Sequence, residues 1–139
     1  MNAASSRAPR AVIAGRVLTG LAVAFLLFSS LLKFFAPTLV RETMVQLGFP
    51  PQISIWLGVL ELACTLLYAL PATARVGVVL LTGYLGGAVA THLRLLDPWL
   101  THTLFPVWLG ALAWAGLLLR DARLRAVLLA WPRRACAAA

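Results

Sequence analysis

Acidic residues are nearly missing from this chain: four Asp and Glu among 139 residues, against twelve Lys and Arg. Charged residues of both signs reach only 12%, about half of the roughly 25% in an ordinary soluble domain, which excludes a water-exposed globular fold. Cysteine is as scarce. Cys64 lies inside an apolar run and Cys136 in an Ala-rich tail. With no C-x-x-C, neither a disulfide, a zinc site nor thiol exchange is expected. The alternation that a lipid-facing barrel strand requires is also absent. In lipid, helices then remain as the way to satisfy the backbone. No long linker and no internal repeat interrupts the chain.

What fills the chain instead is apolar: 62% hydrophobic residues and a mean hydropathy of +0.92 describe a membrane protein. Four apolar stretches, roughly 12–36, 53–70, 76–96 and 104–119, each approach the ~20 residues that cross a hydrocarbon core. The expected fold is an all-α membrane protein, a four-transmembrane-helix bundle. Pro37, Pro50, Pro51, Pro71 and Pro98 fall between these stretches, and Pro106 falls in the first turn of the fourth, where a missing N–H costs little. The expected organisation is a basic cytoplasmic N-terminus (1–11), a membrane domain (12–128) and an Ala/Arg-rich cytoplasmic tail (129–139).

Two shorter segments are expected to lie on the membrane. In "TLVRETMVQLG" (38–48), Val40, Met44 and Leu47 share a face while Arg41, Glu42 and Gln46 lie largely elsewhere, the pattern of a short interfacial helix between helices 1 and 2. In "RDARLRAVLLAWPRR" (120–134), Leu124, Val127, Leu128 and Trp131 recur at helical spacing beside five arginines.

The net charge of +8 is assigned by its position along the chain. Arg7, Arg10, Arg16, Arg75, Arg120, Arg123, Arg125, Arg133 and Arg134 fall on one side of the expected spans, and only Lys33, Arg41 and Arg94 on the other. This is the positive-inside bias of a multi-pass protein of the plasma (inner) membrane with both termini cytoplasmic. Trp56, Trp99 and Trp108 then mark the outer interface. Basic flanks drawn to anionic lipid account for the charge without nucleic acid. The first span follows a basic leader but is long and has no A-x-A-like site after it, so it is read as a retained anchor.

Polar residues inside the spans carry the functional signal, because an ionisable group at membrane depth costs on the order of 3 kcal/mol. Glu61 lies about 12 Å below the boundary near Ile53 at 1.5 Å per residue. Gly58, Thr65 and Tyr68 share its face, which is expected to point into the bundle. Lys33, near the outer end of the first span, either reaches the carboxylate or snorkels to the headgroups. Gly83 and Gly87 form a small-xxx-small pair suited to helix packing, within the bundle or between copies. His92, which shares a face with Tyr84, and Arg94 are about 200° apart on a helix, so only one of them can face Glu61. The candidate ligand-binding set is therefore Lys33, Glu61, Thr65, Tyr68, Tyr84, His92 and Arg94, with no metal site. The alternative is a Glu61 that only fixes helix register.

"LGVLELACTLLYALP", "LLTGYLGGAVATHLR" and "FPVWLGALAWAGLLLRDARLRA" together resemble the DoxX-like family of small four-helix membrane proteins. The resemblance implies a link to quinone redox systems, but no catalytic motif carries over to these residues. The chain has no haem, Fe–S or paired-cysteine equipment to move electrons alone. Two functions are therefore expected to compete. One is binding of a small hydrophobic molecule of quinone type, as part of a membrane redox system or as an oxidoreductase subunit. The other is a scaffold or accessory subunit in a homo- or hetero-oligomer. A proton-coupled transporter ranks third, since four short helices leave little room for alternating access.

Overall fold

The computed structural model describes residues 7–128. Residues 1–6 and the 129–139 tail, with Trp131, Arg133, Arg134 and Cys136, lie outside the described residues. The helices are α1 (Arg7–Phe35), α2 (Pro37–Gln46), α3 (Ile53–Ala69), α4 (Ala74–Arg94) and α5 (Phe105–Arg120). A wide π-type turn over Trp99–Thr103 precedes α5, residues 122–128 are helical, and no strand occurs among the described residues.

Three helical stretches are long and apolar enough to cross a membrane: Arg10–Phe35, Ala74–Arg94 and Trp99–Arg120. The apolar α3 is shorter, at 17 residues. Large apolar side chains cover the outside, including Ile13, Phe28, Leu66 and Val79, a surface that water would not tolerate and lipid solvates.

Proline sets the joints. Ahead of Pro37 the backbone cannot stay helical, and Ala36, at φ −120° and ψ 63°, alone separates α1 from α2. Leu70, ahead of Pro71, is likewise extended at ψ 125° and ends α3. The carbonyls stranded there find donors: Thr73 Oγ1 reaches Leu67 O at 2.7 Å and Arg120 Nη2 reaches Tyr68 O at 3.1 Å. α2 closes on Gly48, whose φ of +74° is the left-handed position after a helix C-cap. The Phe49 N–H then bonds back to Met44 O at 2.8 Å.

α1 packs against α3 and α5, and α4 closes the ring between them. Leu26, Tyr68, Val78, Leu81 and Leu117 are fully buried at its centre. Three glycines, Gly15, Gly77 and Gly116, sit at approaches tight enough to demand glycine. A Cβ at Gly116 would stand 2.8 Å from Thr19 Oγ1 and 2.9 Å from Thr19 N, and one at Gly77 would collide with the Tyr68 backbone. Gly83 and Gly87 do not have the within-bundle packing role that their spacing suggested, because a Cβ at either meets nothing within 4 Å. α4 turns these two glycines toward a cavity between the helices and sets Gly77, about two turns earlier, against α3.

The arginine-rich end is tied by Asp121. Its Oδ2 accepts from Arg75 Nε at 2.7 Å and its Oδ1 caps the Leu124 N–H at 3.0 Å. The Arg75 hydrogen bond, with help from the cap, holds the Asp121 carboxyl below its ordinary value of 3.8. Asp121→Ala is expected to cost about 1 kcal/mol, the usual loss of an N-cap. Because the folded value is depressed, the stabilisation is present above pH 3.8 and is lost as pH falls through the lowered value. Thermal unfolding of both proteins in detergent at pH 7 and pH 3 checks this; the gap between them should narrow at the lower pH.

Candidate functional site

Ser29 and Lys33 are one turn apart on α1 and so share a face. Opposite them, Gly58 on α3 leaves room for the Lys33 stem, since a Cβ there would stand 3.1 Å from Lys33 Cβ. The ammonium therefore reaches one turn further along α3, where Lys33 Nζ meets Glu61 Oε2 at 2.8 Å. Lys33 also donates to Ser29 Oγ at 3.0 Å, and Ser29 Oγ donates to the same Glu61 Oε2 at 3.3 Å. The Glu61 side chain is 4% exposed and that of Lys33 15%. A charge so placed is retained only with a partner and supporting hydrogen bonds.

This pair forms part of the wall of a cavity of about 650 Å³ bounded by α1, α2, α3, α4 and α5. The walls are mainly apolar, with Phe25, Leu60, Leu85, Phe105 and Leu109 among them. Polar groups enter at few points. Ser29, Lys33, Glu61 and Tyr84 form one group, with Tyr84 beside the Glu61 carboxylate. Thr91 and His92 lie two turns further along α4, and Thr43 comes from α2. Val40, Met44 and Leu47 also line this space. The α2 face that suggested contact with lipid is thus turned onto the bundle, with Arg41, Glu42 and Gln46 left exposed.

The cavity brings together four of the seven candidates, Lys33, Glu61, Tyr84 and His92. The other three are placed elsewhere. Thr65 Oγ1 bonds back to Glu61 O at 2.7 Å, so its hydroxyl is spent on its own helix. Tyr68 donates to Ala113 O at 2.8 Å, and its ring lies under the Arg120 guanidinium at 5.4 Å. Arg94 Nη2 donates to Leu47 O at 2.7 Å and thereby ties the end of α2 to α4. Of His92 and Arg94, His92 lines the cavity, and Arg94 reaches the exposed end of α2.

One participant escaped the sequence reading. His92 Nδ1 lies 2.7 Å from Asp97 Oδ2, in a loop beyond the helix. A glycine after the α4 C-cap would have signalled the tight reversal that brings Asp97 back. Leu96 occupies that position instead, at φ 56°. Among the described residues no three His, Cys, Asp or Glu side chains cluster as a metal site.

No curated protein and no solved structure matches the chain. The DoxX-like family, by contrast, matches residues 17–116, a stretch containing the ion pair, Tyr84, His92 and Asp97. By that match, over most of its length and all of the cavity's polar groups, the chain belongs to the DoxX-like family.

Proposed function

We propose that the protein crosses the membrane four times and holds a small apolar molecule with a hydrogen-bonding head, of quinone type, in the cavity beside Glu61, as part of a membrane redox system. The observation that carries this reading is the buried Lys33–Glu61 pair in the wall of a mostly apolar cavity of about 650 Å³, the size and lining of a small-molecule site. At 17 residues, α3 is at the short limit of a span, and slight thinning of the bilayer accommodates it. Trp56, Trp99 and Trp108 are all exposed at the α2 end of the bundle, which supports an interface there, with the arginine-rich end cytoplasmic and the cavity facing outward. α2 then lies along that outer interface, covering the cavity with one face and meeting headgroups with the other.

In this reading Lys33 supplies the donor for the head of the ligand and Glu61 and Tyr84 hold the ammonium and the head in register, while Phe25, Leu85 and Phe105 enclose the apolar body. The test is native mass spectrometry of the protein in lipid nanodiscs, with identification of any retained small molecule. Glu61→Gln is expected to lose the molecule and Tyr84→Phe to retain at least tenfold less. An empty wild-type cavity, together with capture of a protein partner that survives Glu61→Gln, would instead make the bundle a scaffold and Glu61 a structural residue.

A further inference from the structure

α4 ends in a conformation that its sequence does not favour. Leu96 is the one non-glycine residue with positive φ among the described residues, at 56°, a left-handed conformation unfavourable for a residue with a Cβ. Leu96 is almost wholly exposed, at 87%, so no packing against the rest of the protein offsets that cost. What the turn achieves is local: the Asp97 N–H bonds back to His92 O at 3.1 Å, and Asp97 Oδ2 arrives 2.7 Å from His92 Nδ1. One residue is thus tied to His92 through both its backbone and its side chain.

That contact has a chemical direction. A carboxylate only accepts, so in the neutral imidazole the proton resides on Nδ1 and Nε2 is left as an acceptor. Asp97 is not part of the cavity wall, whereas His92 is; the nitrogen left for the cavity is therefore Nε2. The neighbouring titratable group, His102, lies tilted against His92 at 5.7 Å between ring centroids and has its own Nδ1 engaged with Thr101 Oγ1 at 2.8 Å, while Asp97 Oδ2 pairs with His92. Lys33 and Glu61 face the same cavity but pair with each other. On α4, Tyr84 and His92 are eight residues apart, about 12 Å at 1.5 Å per residue, so the cavity carries two separate polar stations.

We infer that Asp97 is a positioning residue that fixes the tautomer of His92, and that the His92 station accepts a hydrogen bond from a hydroxyl-bearing, phenol-type amphiphile. This rests on the small-molecule reading of the cavity and specifies the ligand class that it takes. A ligand offering a hydroxyl gains a bond at Nε2; its O-methyl ether gains none there, a difference of about tenfold for one hydrogen bond.

The tautomer is read by ¹⁵N NMR of ¹⁵N-histidine-labelled protein in nanodiscs at pH 9, with His92 assigned by comparison with His102→Gln. A pyrrole-like Nδ1 and a pyridine-like Nε2 are expected in the wild type. Asp97→Asn, whose amide serves either tautomer, should show a mixture. Binding is read in parallel with 4-octylphenol and 4-octylanisole. The wild type should prefer the phenol about tenfold, and Asp97→Asn should lose most of that preference while still binding both probes. A proton on Nε2 in the wild type, an unchanged pattern in Asp97→Asn, or an equal preference in the two proteins overturns the inference and leaves the cavity reading standing. Failure of the wild type to bind either probe overturns both.

Discussion

Lys33→Met is expected to destabilise the protein by about 3 kcal/mol, because it strands the Glu61 carboxylate, 4% exposed, without its cation. Glu61→Leu alone should cost less, since the Lys33 ammonium retains Ser29 and a partial route to the surface. The double variant Lys33→Met/Glu61→Leu should recover to within about 1 kcal/mol of the wild type, as apolar replacements of buried ion pairs commonly do. Unfolding titrations in mixed detergent give all four corners of the cycle. Additive losses would mean that the two charges do not sense each other and that the 2.8 Å contact is energetically idle. The double variant has a second use: stable but without the charged pair that holds the ligand's head in the proposed function, it should bind no ligand, which separates holding the fold from holding the molecule.

Gly77→Val is expected to cost more than about 3 kcal/mol, the upper range for overpacking, because the obstacle is the Tyr68 backbone and not a movable side-chain end. Two helices must separate, and the Tyr68 bonds to Ala113 O and from Arg120 go with them. The contrast is Gly86→Ala, where a Cβ meets nothing within 4 Å; replacing a mid-helix glycine there should stabilise by up to about 1 kcal/mol. Gly83→Ala should fold normally. Gly83 lines the cavity, so if Gly83→Ala proved the more damaging substitution, a bound molecule or a second copy would have to pack against that face, and cross-linking in nanodiscs would detect the copy.

Much of the fold was legible because lipid imposes a length and proline imposes boundaries. The stretch read as 53–70 is helical over Ile53–Ala69 and that read as 104–119 over Phe105–Arg120. The cost of a charge at depth was also enough to turn Glu61 inward. Rotation about each helix axis was less legible. In a soluble bundle an apolar stripe fixes the inward face, but α4 is apolar nearly all round, so glycine spacing alone pointed to Gly83 and Gly87 when the tight contact is at Gly77. The same ambiguity left His92 and Arg94 open. Thr65 and Tyr68 do share the face of Glu61, but backbone carbonyls, which no side-chain pattern reveals, claim their hydroxyls. Asp97 was hidden because the reversal that returns it to His92 is made by a leucine.

The two ends of the bundle differ in how they are filled. Beneath the cavity, Leu26, Tyr68, Leu81 and Leu117 are each no more than 2% exposed, and Gly116 on α5 brings Thr19 of α1 to near-contact. The molecule is a cup with a sealed base. In the proposed function, a molecule that enters beside Glu61 meets these packed side chains before it can reach the arginine-rich end. In the proposed function such a vessel would store or present its contents to one side of the bilayer; conduction through it would require Tyr68 to give up its bond to Ala113 and the base to unpack.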